Sequence, residues 1–176
     1  MEPKLNLDIA LLILRIVVGA YVFGHGAQKL FGWFGGGGLA KTSAGMGSML
    51  RFRPALFWSL AAGLSESAGA LLVLGLLTPL ASAGVSAAML TAILSSHLGK
   101  GWFAATRGPE LSLTYLTVAI AVAIAGPGRF SLDSVLGISF PEPITLAALA
   151  VLVILGVAVA FLTRRAAPPA TKVETA

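Results

Sequence analysis

The chain has 176 residues, of which 57% are hydrophobic and only 11% charged, and it contains no cysteine. Soluble domains carry about 25% charged residues, so the composition excludes an ordinary soluble fold, and the missing cysteines exclude disulfides, thiolate metal sites and thiol redox chemistry within the chain. The net charge of +5 does not point to nucleic acid, because the basic residues are scattered among apolar segments, as they are where Lys and Arg set membrane topology and meet anionic lipid.

Five apolar stretches predict an all-α, polytopic transmembrane helical bundle. The first runs from Leu7 to Phe31; acidic Glu2 and Asp8 at its start, Arg15 within it and its apolar length to Phe31 do not fit a signal peptide, so it reads as a retained helix. The connection Gly32 to Pro54, "GWFGGGGLAKTSAGMGSMLRFRP", is the longest. Gly-rich backbone at membrane depth is tolerated only where protein buries it or it lines a cavity. The segment is therefore either a surface loop or a partly re-entrant loop over the bundle mouth, docked by Trp33, Phe34 and Met46.

Helix two is expected from Ala55 to Leu77, with Thr78-Pro79 as a tight break. Helix three follows from Leu80 to Leu98, and helix four, the shortest, from Glu110 to Ala125. "GPGRFSLD" then reads as a turn, with Ser131 capping a short surface helix. Helix five, Ile144 to Leu162, has no ionisable residue and is expected to be peripheral. This divides the chain into a four-helix domain (1–140), an additional span (141–163) and a disordered basic tail (164–176).

If all five helices cross, Lys41, Arg51, Arg53, Lys100, Arg107, Arg164, Arg165 and Lys172 share one side, against Lys4 and Arg129 on the other. The positive-inside rule makes the first side cytoplasmic and the N-terminus external.

Charge within a span costs roughly 2.5–3.5 kcal/mol per residue on the insertion scale, so the few charged groups identify the inward faces. At about 100° per residue, with Arg15 at 0°, His25 falls near 280°, Lys29 near 320°, and Gly19 and Gly26 near 40° and 20°. Polar groups and small packing residues thus share one stripe, which allows close approach of a neighbour. Glu66 shares a face with Ser59, Ala62, Gly63 and Ala70, and Glu110 aligns with Thr114, Thr117 and Ala121. His97 lies roughly 120–140° from the small-residue stripe of its own helix. Compensation suggests Glu66 with Arg15, and Glu110 with Lys29 or a histidine. The candidate ligand site is thus Arg15, His25, Lys29, Glu66, His97 and Glu110. Ion pairs that merely fix helix register are the alternative. No metal site is expected. His25 and His97 differ in depth by about 6 Å, which argues against a bis-histidine haem.

These residues sit in stretches that resemble the DoxX family of small bacterial membrane proteins. The matching elements are Arg15 and Gly19, "FGHGAQKLFGWFGGGG", "ESAGALLVLGLLTPLAS", Met89 and Ala92, "HLGKGWF", "GPEL" and "GPGRFSLD". The resemblance implies a four-helix core in the cytoplasmic membrane and an association with redox enzymes, the family being related to the membrane subunit of thiosulfate:quinone oxidoreductase. The helix from Ile144 goes beyond that pattern.

The leading expectation is a membrane subunit or anchor of a quinone-linked redox complex. Quinone would be its ligand, and a partner subunit or a bound cofactor would supply the electrons. A small transporter or proton pathway and a non-catalytic scaffold are the alternatives, either of which a homo-oligomer would accommodate.

Overall fold

The computed structural model describes residues 3–166 and is all-α. α1 spans Pro3–Leu30 and ends where Gly32 turns left-handed at φ 75°. α2, Gly38–Ser48, lies within the glycine-rich connection. α3 (Ala55–Ser67) and α4 (Gly69–Leu74) form one span deflected at Ala68. α5 covers Thr78–Ala92 and continues as a π-helical turn, Ile93–His97. After a short 3-10 turn at Ala104–Thr106 come α6 (Glu110–Ala125), α7 (Leu132–Leu136) and α8 (Ile144–Leu162).

Among the described residues, four stretches are long and apolar enough to cross a membrane: Leu5–Leu30, Ala55–Leu74, Thr78–His97 and Ile144–Leu162. α6 has 16 residues, about 24 Å of helix, which is short for a 30 Å hydrocarbon core.

The expected break at Thr78-Pro79 lies earlier. Gly75 stops α4 in the left-handed region at φ 63°, and Pro79 sits in the first turn of α5, where a proline's missing N–H costs nothing. Glycine is doubly required at 75, because any Cβ there would collide with the Arg15 guanidinium.

α1, α4, α5 and α6 close a four-helix core of Leu11, Val18, Val22, Leu72, Val85, Met89, Ala119 and Val122. The α1–α3/α4 seam depends on the predicted small-residue stripe. A Cβ on Gly19 would meet the Gly69 carbonyl at 2.6 Å; one on Gly26 would meet the Ser67 amide nitrogen at 2.6 Å and the Gly63 carbonyl at 2.8 Å. Ser67 Oγ at 2.7 Å could turn aside, but those two obstacles are backbone, so Gly26→Ala forces the helices apart. The expected cost is about 1–3 kcal/mol, read as a lowered thermal midpoint in detergent.

α8 is peripheral, as expected, with Val151, Leu152, Ile154 and Leu155 exposed, but its last turns bury Val157 and Ala160. Arg164 and Arg165, expected in a disordered tail, are instead tied to the α2–α3 connection: Arg164 Nε donates to the Leu50 carbonyl at 2.8 Å and Arg165 N to the Arg51 carbonyl at 3.0 Å. The remainder of that expected tail, 167–176, lies outside the described residues.

Candidate functional site

The structure separates the ionisable groups into two centres at opposite ends of α1. Arg15 and Lys29 are 14 residues apart on one helix, about 21 Å.

Arg15 belongs to the end formed by the α4–α5 turn and α7. It is 1% exposed and donates from Nη2 to the Phe130 carbonyl at 2.5 Å. The expected partner was Glu66, but the carboxylate that acts on Arg15 electrostatically is Asp133. The helical wheel gives the face of α1 on which Arg15 lies, not which chain segment meets that face at that depth. Asp133 itself is buried and holds the start of α5. Oδ1 accepts from Leu77 N at 2.7 Å, and Oδ2 accepts from Thr78 N at 2.9 Å and Thr78 Oγ1 at 2.7 Å. A carboxylate at a helix N-terminus satisfies orphan amides and complements the dipole. It also holds Leu77 at φ 48°, a conformation that costs a non-glycine residue on the order of 1 kcal/mol. The "GPGRFSLD" turn is therefore more than surface. Ser131 does cap α7, accepting from Ser134 N at 3.1 Å, but α7 serves to place Asp133.

The other centre lines a cavity of about 860 Å³. Lys29 Nζ donates to Glu66 Oε1 at 2.5 Å, with the lysine side chain a third exposed and the glutamate 5% exposed. Glu66 Oε2 is buried with no hydrogen-bond partner among the described residues. His25 and His97 complete the candidates that reach this cavity, together with Arg107, Tyr115 and Ser96, which the sequence reading did not single out as ligand groups. Apolar and small side chains such as Met46, Phe52, Trp58, Ala62 and Met89 form most of the remaining wall.

His97 reaches the cavity because of the π turn. Counted as α-helix it points away from Ala88 and Ala92. The wider turn advances less per residue and swings Ser96 and His97 back toward them; such turns are frequent at functional sites. His97 Nδ1 lies 2.7 Å from the Arg107 carbonyl. A carbonyl only accepts, so Nδ1 carries the hydrogen and the neutral ring keeps Nε2 as an acceptor.

Glu110 does not join. Its Oε2 accepts from Ala104 N at 2.7 Å, so it fixes the loop before α6. The face it shares with Thr114, Thr117 and Ala121 is exposed. The threonine hydroxyls bond back to the carbonyls of Glu110 and Leu113, so they have no need of the interior. α6 turns Ala119 and Val122 inward instead. Of the six candidates, His25, Lys29, Glu66 and His97 come together, while Arg15 and Glu110 stand apart.

The glycine-rich connection covers this cavity. Thr42, Gly45, Met46, Met49 and Leu50 line it. Gln28 Nε2 donates to the Phe34 carbonyl at 3.1 Å and Thr42 Oγ1 to the Lys29 carbonyl at 3.2 Å, holding the connection to the end of α1. Nothing in the apolar pattern of "GLAKTSAGMGS" announces a helix, and α2 is the element the sequence reading missed.

No curated protein and no solved structure matches the chain significantly. The DoxX family pattern matches residues 10–98, half of the chain, from α1 through the π turn. That interval contains all four cavity-lining candidates and the whole of α2, and the chain belongs to the DoxX family of integral membrane proteins.

Proposed function

We propose that this DoxX-family protein is a membrane subunit or anchor of a quinone-linked redox complex, with the cavity receiving the quinone headgroup. The carrying observation is the cavity: about 860 Å³, largely apolar, with Lys29, Glu66, His25 and His97 among its lining. Its size falls in the range of about 300–1,000 Å³ of small-molecule sites, and so does its pattern of apolar walls with a few polar groups. A quinone offers an apolar ring and two carbonyl acceptors. Lys29, with Arg107 and the Tyr115 hydroxyl also in the lining, supplies donors; Glu66 and His97 Nε2 supply proton acceptors for the exchange that accompanies reduction or oxidation. Electrons come from a partner subunit or cofactor, because the chain has no cysteine and, among its described residues, no cluster of three or more His, Asp or Glu suited to a metal.

The concentration of Lys41, Arg51, Arg53, Lys100 and Arg107 near the cavity end supports placing that end on the cytoplasmic side of a bacterial inner membrane. Arg15 and Asp133 stand outside this function and serve assembly.

The test is purification in mild detergent followed by mass spectrometry of the extracted lipid. Wild type is expected to carry near-stoichiometric quinone. In the reduced form the quinol hydroxyl can donate to His97 Nε2, so His97→Ala purified under reducing conditions is expected to retain about tenfold less, the equivalent of one lost hydrogen bond. A folded, monodisperse preparation that reproducibly carries no quinone and takes none up overturns the proposal.

A further inference from the structure

We infer that α2 is a hinged lid over the cavity and that Arg164, beyond the end of α8, is its latch. The inference is independent of what the cavity holds. Apart from the hydrogen bond of Thr42 Oγ1 to the Lys29 carbonyl, little else secures α2. Gly47 is its sole buried residue. At its leading end the chain passes through Gly32, Gly35 and Gly38, all at positive φ, with Phe34 also left-handed at φ 50°. At its trailing end Arg51 is left-handed at φ 63°. A helix of 11 residues between two such bends can move as a unit with small changes at few dihedrals.

The trailing end is where the chain holds it down. Phe52 is 1% exposed and packs between Trp58, at 6.2 Å between ring centroids, and Phe161 of α8, at 5.5 Å. The Arg164 guanidinium lies over both phenyl rings, at 5.6 Å from Phe52 and 5.7 Å from Phe161. From the same group Nε donates to the Leu50 carbonyl, and the next residue's amide takes the Arg51 carbonyl. One side chain thus combines a charged hydrogen bond to the lid's backbone with cation–π contact to its anchor ring. Met46, Met49, Leu50 and Phe52 on the lid side, and Gly156, Val157 and Ala160 of α8, all line the cavity. Releasing the latch therefore frees the lid and part of the wall together. Lysine at 164 is a poor substitute, because an ammonium has no planar face to stack while it donates.

The absence of native cysteine makes a single-thiol experiment clean. Ala62→Cys places a thiol on the cavity wall, and Lys100→Cys provides an exposed reference. Labelling by a water-soluble maleimide is measured on the full chain in detergent, with and without Arg164→Ala. The expected result is an increase of about tenfold or more in the Ala62→Cys rate, an unchanged Lys100→Cys rate, and an intermediate effect from Arg164→Lys. An unchanged Ala62→Cys rate with folding preserved overturns the inference. Hydrogen exchange on the unmutated protein gives a second reading should Arg164→Ala fail to fold. Residues 38–48 are expected to exchange together and faster than α3 and α5. Protection of α2 equal to theirs overturns the inference as well.

Discussion

Replacing Asp133 by alanine is expected to destabilise the bundle by about 3–5 kcal/mol, because each buried donor left without a partner costs about 1–3 kcal/mol. The change strands three donors at once: the amides of Leu77 and Thr78 and the Thr78 hydroxyl. It also removes the carboxylate charge that acts on buried Arg15, whose hydrogen bonding among the described residues is already limited to the Phe130 carbonyl, Nε and Nη1 having no partner. Asp133→Asn keeps one acceptor and the shape but loses the charge, and is expected to cost about half as much. The check is thermal unfolding in detergent together with the monodisperse fraction. A value for Asp133→Ala within about 1 kcal/mol of wild type contradicts this account.

At the opposite end, Lys29→Met is expected to cost about 3 kcal/mol, the low end of the same range. The lysine side chain is 33% exposed, so water already screens part of the pair. Glu66→Gln is expected to be much milder, because a neutral amide next to Lys29 strands no charge in the interior: the lysine can turn toward the solvent it already touches. The order matters more than the sizes. If the pair is asymmetric in this way, the double variant Lys29→Met with Glu66→Gln recovers most of the stability lost in Lys29→Met alone, since what costs energy is the solitary buried carboxylate. Thermal unfolding of the four proteins as a double-mutant cycle checks it. Equal losses from the two single changes contradict it.

The long helices were legible because a span of apolar residues has one cheap solution in a bilayer: every backbone group paired within its own segment. α6 and α8 begin and end where the apolar runs do, at Glu110–Ala125 and Ile144–Leu162. The glycine stripe on α1 was legible for a similar reason, since Gly19 and Gly26 leave room only a neighbouring backbone fills. What periodicity could not give was depth and partnership. It placed Arg15 and Lys29 on one stripe, yet Lys29 pairs with Glu66, 37 residues on, while Arg15 at the opposite end donates to the Phe130 carbonyl and is acted on by the charge of Asp133, 115 and 118 residues on. It also assumed 100° per residue throughout, and so turned His97 away from a cavity that the π turn restores to it. Asp133 was hidden by its setting: a carboxylate in a short polar turn looks solvated until the start of α5 is known to lie against it.

The Arg15–Asp133 arrangement has a consequence for how the protein is made. The carbonyl of Phe130 and the carboxylate of Asp133 belong to a turn translated long after α1 has left the ribosome. At about 5–20 residues per second, 118 residues take roughly 6 to 24 s. Throughout that interval the first helix carries a guanidinium whose eventual companions do not yet exist. Settling into lipid alone would cost it roughly 2.5–3.5 kcal/mol, which favours a place beside the insertion machinery, near water, or against a helper until α7 arrives. The turn and short helix that follow the last core helix are then what lets the first come to rest.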